Sequence, residues 1–319
     1  MDNYTLAAFD VARIIGRSYN ALLTYIQSEM AKILRHIGDE DTLAYEYRMK
    51  RLAALLKDTD KRFKELYGVN LIDTTEFLKS IIPEAYYHTI FDIAQGIGVE
   101  PEFATINTRL IDKIINEDWS GKNYSKRIWA NTEELAKEVR EVLTEAAVSG
   151  ESIYKTSRKL SDKFNQSAYN SQRLIRTETT YATNQAELLS YKELDIDKYE
   201  FVATLDTRTS AICQKMDGKI FAVKDAVAGV NLPSMHPNCR STTIPYFKDG
   251  MPSIRTARDK DGKRITVPAS MKYPEWYKKY VEPYEKEKKP RELSTPKAKP
   301  AEIEVSKPQK GDYQDEPIK

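Results

Sequence analysis

Two thiols and one imidazole fall close together in the chain: Cys213, then His236-Pro237-Asn238-Cys239. Thiolate sulfur and imidazole nitrogen are ligands that zinc takes, and a closed structural site wants four of them. The His-x-x-Cys spacing lets both side chains reach one ion from a single turn. A fourth ligand is not evident, and Asp206 and Asp217 are the nearby oxygen donors. Two other uses compete with a structural zinc. One, and the better supported by the residues, makes the cysteines small buried hydrophobes with His236 hydrogen-bonded in its turn. A Cys213–Cys239 disulfide is the third, reserved for the time after release from a reducing cytoplasm.

Polar residues surround this group. Asp206-Thr-Arg208-Thr209-Ser210 precedes Cys213, Asp217-Gly218-Lys219 follows it, and Arg240 comes directly after Cys239. A second set, Arg173, Arg176, Glu178, Tyr181 and Asn184, lies on the helical segment upstream. Arg176, Thr180 and Asn184 are four apart and share one helix face. Charge-assisted hydrogen bonds from that face would lock the helix to the Asp206–Arg208 loop; the competing reading is a solvated face with ordinary salt bridges. Glu178 lies off that line, on the side expected to meet the sheet. Nucleophilic catalysis has little to draw on. The histidines are His36, His88 and His236, and no G-x-S-x-G element accompanies them.

The elements that position these residues are mostly helices. Ile15, Tyr19, Leu22, Ile26, Met30, Ile33 and Ile37 recur at steps of three or four, which predicts one amphipathic helix from 4 to about 37. Its stripe suits burial in its own bundle, and any remainder suits a partner's groove or self-association. A second helix with Leu43, Tyr47, Leu52, Leu55 and Phe63 is expected to stop at Gly68. A third, opening at Asp73 or Thr74, should kink or break at Pro83. Further helices are expected at about 106–117, 131–148, 152–164 and 167–194. After Asp197 the pattern changes. Tyr199–Leu205, Lys219–Val223 and Ser241–Phe247 read as three strands of a small antiparallel sheet, with Asp217-Gly218 as a turn.

The fold class is therefore α+β: a long, mostly helical amino-terminal region (1–150), a small module containing antiparallel strands (151–247), and an extended, largely disordered tail (248–319). In the tail Asp261-Gly262 is a turn and Tyr273–Tyr277 a short ordered patch. Beyond about Glu285 the chain is Lys, Glu and Pro with too few apolar residues to offset chain entropy. Among 319 residues, 50 basic ones nearly cancel 48 acidic ones, so net charge does not draw the protein onto nucleic acid or a membrane surface. No apolar run is long enough to span a bilayer, and the first twenty residues lack a secretory signal, so no membrane partner is expected. The Lys-rich stretch 286–310 would make at most weak contact with DNA phosphates, since Glu residues are interspersed.

Arg176-x-Glu178, Asn184, Asp206-x-Arg208-Thr209, Cys213, Asp217-Gly218-Lys219 and His236-Pro237-Asn238-Cys239-Arg240 resemble, in order and spacing, the phage head morphogenesis domain, also called the phage Mu protein F-like domain. The stretch Trp119–Trp129 is similar to what precedes that domain in minor head proteins of phages infecting Gram-positive bacteria. The resemblance implies a minor capsid protein of a tailed bacteriophage with a structural job and no catalytic residue. Such a protein joins the procapsid in few copies, associates with the portal and with scaffold or major capsid protein, and acts in DNA packaging or ejection. Its place would be the host cytoplasm during assembly and the virion head afterwards. In one respect the chain departs from the family: many members carry a Cys where Ser210 stands, which would be the natural fourth metal ligand. The domain has also been compared with the ADP-ribosyltransferase fold. On that comparison Arg176, Ser241-Thr242-Thr243 and Glu285-Lys286-Glu287 overlie positions that bind NAD and support transfer, although both glutamates fall where the chain is expected to lose order.

Overall fold

The computed structural model describes residues 3–34, 42–98, 105–248 and 254–285. Helix α1 (Asn3–Leu34) turns the predicted stripe inward: Ile15, Tyr19, Leu22, Ile26, Met30 and Ile33 are all buried. Ile37 and His36 lie outside the described residues. The stripe is covered by the chain's own helices α2 and α5, so the bundle absorbs it.

Helix α2 (Thr42–Ile97) runs for 56 residues through both Gly68 and Pro83. The sequence pattern predicts two helices here. A proline inside a helix costs about 3 kcal/mol and a glycine about 1. Burial of Phe77, Leu78, Ile81, Ile82, Ala85, Tyr86 and Ile90 on either side of Pro83 outweighs that cost. Most helical stability in proteins comes from such packing, and local breakers yield to it.

Helix α3 (Thr108–Asn116) leads to α4 (Tyr124–Ser149), which begins a full two turns before the expected start. Asn123 makes that start, its side chain accepting from the N–H of Lys126 at 3.1 Å. Gly150, at φ 67°, ends α4 in the left-handed conformation that favours glycine. Helix α5 (Ile153–Glu193) is one helix where two were expected. Its middle is held by Asn131 of α4, which donates to Ser167 O and Oγ at 3.2 and 3.0 Å. One apolar core draws on all five helices, including Leu135 and Leu143 of α4 with Leu160 and Phe164 of α5. The expected domain boundary between 150 and 151 therefore falls inside a single core: the Gly150–Ser152 turn breaks the pattern without separating the packing.

The three predicted strands form. Strand β1 (Lys198–Val202) lies between β2 (Ile220–Ala222) and β3 (Thr242–Pro245), antiparallel to both. Tyr199 and Phe201 alternate onto its buried face. The sheet leans on α5 through Tyr191, whose hydroxyl lies 3.0 Å from Thr243 Oγ1.

The chain does not turn into a disordered tail at 248. Strands β4 (Ile254–Arg258) and β5 (Arg264–Pro268) pair as an antiparallel hairpin, followed by α7 (Tyr273–Tyr280) and α8 (Glu282–Glu285), with a short α6 (Ala211–Met216) earlier in the module. Leu205, Ala257, Val267, Tyr273, Trp276 and Val281 make a core of their own, with Trp276 fully buried and its Nε1 donating to Arg258 O at 2.9 Å. The strand sequences concealed this. Each strand contributes only one buried side chain, Ala257 and Val267, so no apolar run announces it. Residues 286–319, on which disorder and the basic stretch were expected, lie outside the described residues. Among the described residues no helix is long and apolar enough to cross a membrane.

Candidate functional site

The loops on either side of α6 close against each other. Asp206 is buried at the start of the first loop and receives Arg240 of the second through both guanidinium nitrogens, NH2 at 2.8 Å from Oδ1 and NH1 on Oδ2. Its Oδ1 also accepts from the N–H of Arg208 at 2.9 Å and the hydroxyl of Thr209 at 3.2 Å. Burial pushes the Asp206 carboxyl up, but the hydrogen bonds and charge of Arg240, with Arg208 N–H and Thr209, outweigh it and hold the carboxyl below its usual range. Arg208 contributes its backbone. Its side chain is 75% exposed and stands 3.7 Å from Asp206.

Asp217 performs the same service on the other side. Its side chain is fully buried and accepts from Ala203 N, Tyr273 N and the guanidinium of Arg255. Gly218 adopts φ 79°, a left-handed conformation that calls for glycine; a Cβ there would meet only the movable end of the Lys272 side chain. Arg255 and Lys272 come from the unexpected hairpin unit. Sequence reasoning missed them because their partners lie far away in the chain.

At the centre, Cys213 Sγ lies 3.8 Å from Cys239 Sγ and 3.2 Å from His236 Nε2. Ser210 caps α6 by accepting from Cys213 N–H, and its Oγ lies 2.7 Å from the same Nε2. His236 Nδ1 lies 2.9 Å from Pro237 O, which can only accept, so Nδ1 carries a proton toward it and Nε2 faces Ser210 and Cys213. The hydrogen bond with Cys239 pushes the Cys213 thiol up, with burial adding to the shift. The same bond lowers Cys239, which also receives the N–H groups of Met235 and Ser241. Both cysteines are buried and free. The arrangement satisfies the donor chemistry of a metal: one group of three ligand atoms within 4.8 Å of one another. It equally satisfies a packed core, since both cysteines also join Phe201 and Ala203 in an apolar cluster.

The helix face works differently from the expectation. Thr180 donates to Cys239 O at 2.7 Å and Asn184 lies 3.5 Å from Ser241 O, so α5 grips the 239–241 segment and not the Asp206–Arg208 loop. Arg176 takes no part. Its guanidinium folds back on Gln172 at 3.4 and 3.5 Å and lies over the Phe9 ring, because α1 covers that side of α5. Asn238, at φ 60°, presents its N–H to Thr177 Oγ1 at 3.0 Å.

Glu178 faces away from the sheet. It accepts from Trp119 Nε1 at 3.1 Å and Arg127 at 2.8 Å, while Trp119 stacks on Tyr181 with centroids 4.8 Å apart. The Trp119–Trp129 stretch is thus welded to α5 beside the module. Its only sequence signal was the similarity of that stretch to minor head proteins.

These features define a class: a helical scaffold whose last helix carries a small α+β module, closed by an Asp206–Arg240 pair and a Cys/His cluster. Residues 137–244 match the family model described as Phage Mu protein F like protein, the family that the motifs resemble. This match supports a phage head morphogenesis protein. The chain is also 28% identical over 221 residues to a protein of Enterococcus faecalis (strain ATCC 700802 / V583) called NAD(+)--arginine ADP-ribosyltransferase EFV, a match covering 65% of this chain and 45% of that protein. The chain therefore spans less than half the length of this curated relative. No solved structure matches it.

Proposed function

We propose that this protein is a minor head protein of a tailed bacteriophage, bound to the portal and acting in procapsid assembly and in DNA packaging or ejection. The observation that carries the reading is the closure of the 206–213 and 236–240 loops onto α5 within the segment that matches the phage Mu protein F-like family. Glu178, Asn184, Asp206, Asp217 and Arg240 are all spent on holding elements together. That is the economy of a scaffold. In this reading the Cys213–His236–Cys239 group holds a structural zinc ion, major capsid or scaffold protein is the second partner, and the mature location is the phage head. Co-expression with the portal and major capsid proteins of the same phage tests the proposal. The chain should co-sediment with portal and appear in purified heads, and its absence from both would overturn it.

The name of the Enterococcus relative favours a second reading, an enzyme that uses NAD. More than half of that relative lies outside the match, room enough for its activity to reside in the part that is not matched. Within this chain the residues that would serve are otherwise engaged. Arg176 is folded onto Gln172, and Thr243 hydrogen-bonds Tyr191 and Glu187. Glu287 lies outside the described residues.

A further inference from the structure

We propose that Ser210 Oγ fills the fourth corner of a tetrahedral zinc site whose other ligands are Cys213 Sγ, Cys239 Sγ and His236 Nε2. The inference rests on the zinc reading above and adds to it the ligand that the sequence left unassigned.

Geometry carries the argument. Two sulfurs about 2.3 Å from a tetrahedral ion stand about 3.8 Å apart, and the two Sγ atoms are 3.8 Å apart. A sulfur–nitrogen edge is a little shorter, and Cys213 Sγ to His236 Nε2 is 3.2 Å. Ser210 Oγ stands 2.7 Å from that same Nε2, a hydrogen-bond distance that an ion held by both atoms would open to about 3.3 Å. It is placed there by its capping bond to Cys213 N–H, which turns the hydroxyl toward the cluster.

The surroundings are those of oriented ligands. Pro237 O holds the Nδ1 proton and so presents Nε2 in the ligating form. Backbone N–H groups of Met235 and Ser241 point at Cys239 Sγ, as they would at a thiolate. The oxygen donors that compete for the fourth place are committed elsewhere. Asp206 is occupied by Arg240, Arg208 and Thr209, and Asp217 by Arg255, Ala203 and Tyr273. No further carboxylate joins the cluster among the described residues.

Charge supports the assignment. Two thiolates neutralise Zn²⁺, and a neutral hydroxyl leaves the buried site uncharged, as burial demands. A third thiolate would leave it negative. The site is thus built for a weaker, more exchangeable ion than a three-cysteine site holds.

Cobalt(II) titration of the full chain, reduced and free of a histidine tag, tests this. The wild type should take about one ion per chain, as expected of a closed site, with the intense visible bands of tetrahedral cobalt and a thiolate charge-transfer band. Ser210→Cys should raise that band by about half per cobalt, as thiolates go from two to three. Ser210→Ala should weaken zinc by about tenfold or more in chelator competition, the scale seen when a site loses one supporting interaction. An unchanged charge-transfer band in Ser210→Cys, or unchanged affinity in Ser210→Ala, would overturn the place of Ser210 while leaving zinc standing. No tetrahedral spectrum in the wild type would overturn zinc itself and Ser210 with it.

Discussion

Arg255 reaches from the β4–β5 hairpin into the module and closes on Asp217, NH2 to Oδ1 at 3.1 Å and NH1 to Oδ2 at 3.3 Å. Asp217 is fully buried and Arg255 is 10% exposed. The same guanidinium donates to Ala203 O and, at 3.0 Å, to Met271 O. One cation thereby joins β1's end, the Asp217-Gly218 turn, the hairpin and the approach to α7.

Removing one partner of a buried pair strands the other charge, which costs about 3–5 kcal/mol. Arg255→Ala should therefore lower stability by that amount in denaturant unfolding, against a negligible change for Lys260→Ala on the exposed hairpin turn. A loss below about 1 kcal/mol would mean that the hairpin unit is not anchored through this residue.

Thr180→Val keeps the shape of the side chain and removes its donation to Cys239 O. A buried acceptor left without its partner costs about 1–3 kcal/mol. The substitution should lower the melting temperature, and amide hydrogen exchange should rise in the 236–241 segment before it rises in α1. Equal protection in both variants would show that α5 does not hold this loop.

Burial raises the Glu178 carboxyl above its ordinary range, more than Trp119 and Arg127 lower it. A carboxyl raised in the folded state contributes stability that is complete below its unfolded pKa and is lost as pH rises through the folded value. The wild type should accordingly lose stability relative to Glu178→Gln as pH climbs out of the ordinary carboxylate range. A difference that moves in the wild type's favour with rising pH would mean that the Arg127 pair outweighs burial.

Incubation with labelled NAD separates the two functional readings. A head protein should release no more nicotinamide than a blank, and Arg176→Ala should change nothing but packing against Phe9. Release by the wild type that disappears in Arg176→Ala would establish the enzyme.

Much of the chain was legible from local pattern. The α1 stripe, the three strands of the module and the Asp217-Gly218 turn all follow from period, β-branching and turn chemistry. These are properties of neighbours in sequence. The HPNC turn was legible too, because four consecutive residues make it.

What only the tertiary structure decided involves residues far apart. Whether Gly68 and Pro83 end a helix depends on the apolar surface that α1 and α5 lay over α2, and that burial exceeds the local penalty. Thr180 meets Cys239 O, Glu178 meets Arg127, and Arg176 turns to Phe9 because of which helix covers which side of α5. The hairpin at 254–268 was hidden because its strands bury one small or β-branched side chain each and owe their order to Leu205 and Trp276. Ser210 sits beside His236 Nε2 for the same reason: a long-range contact leaves no periodicity in the sequence for a reader to find.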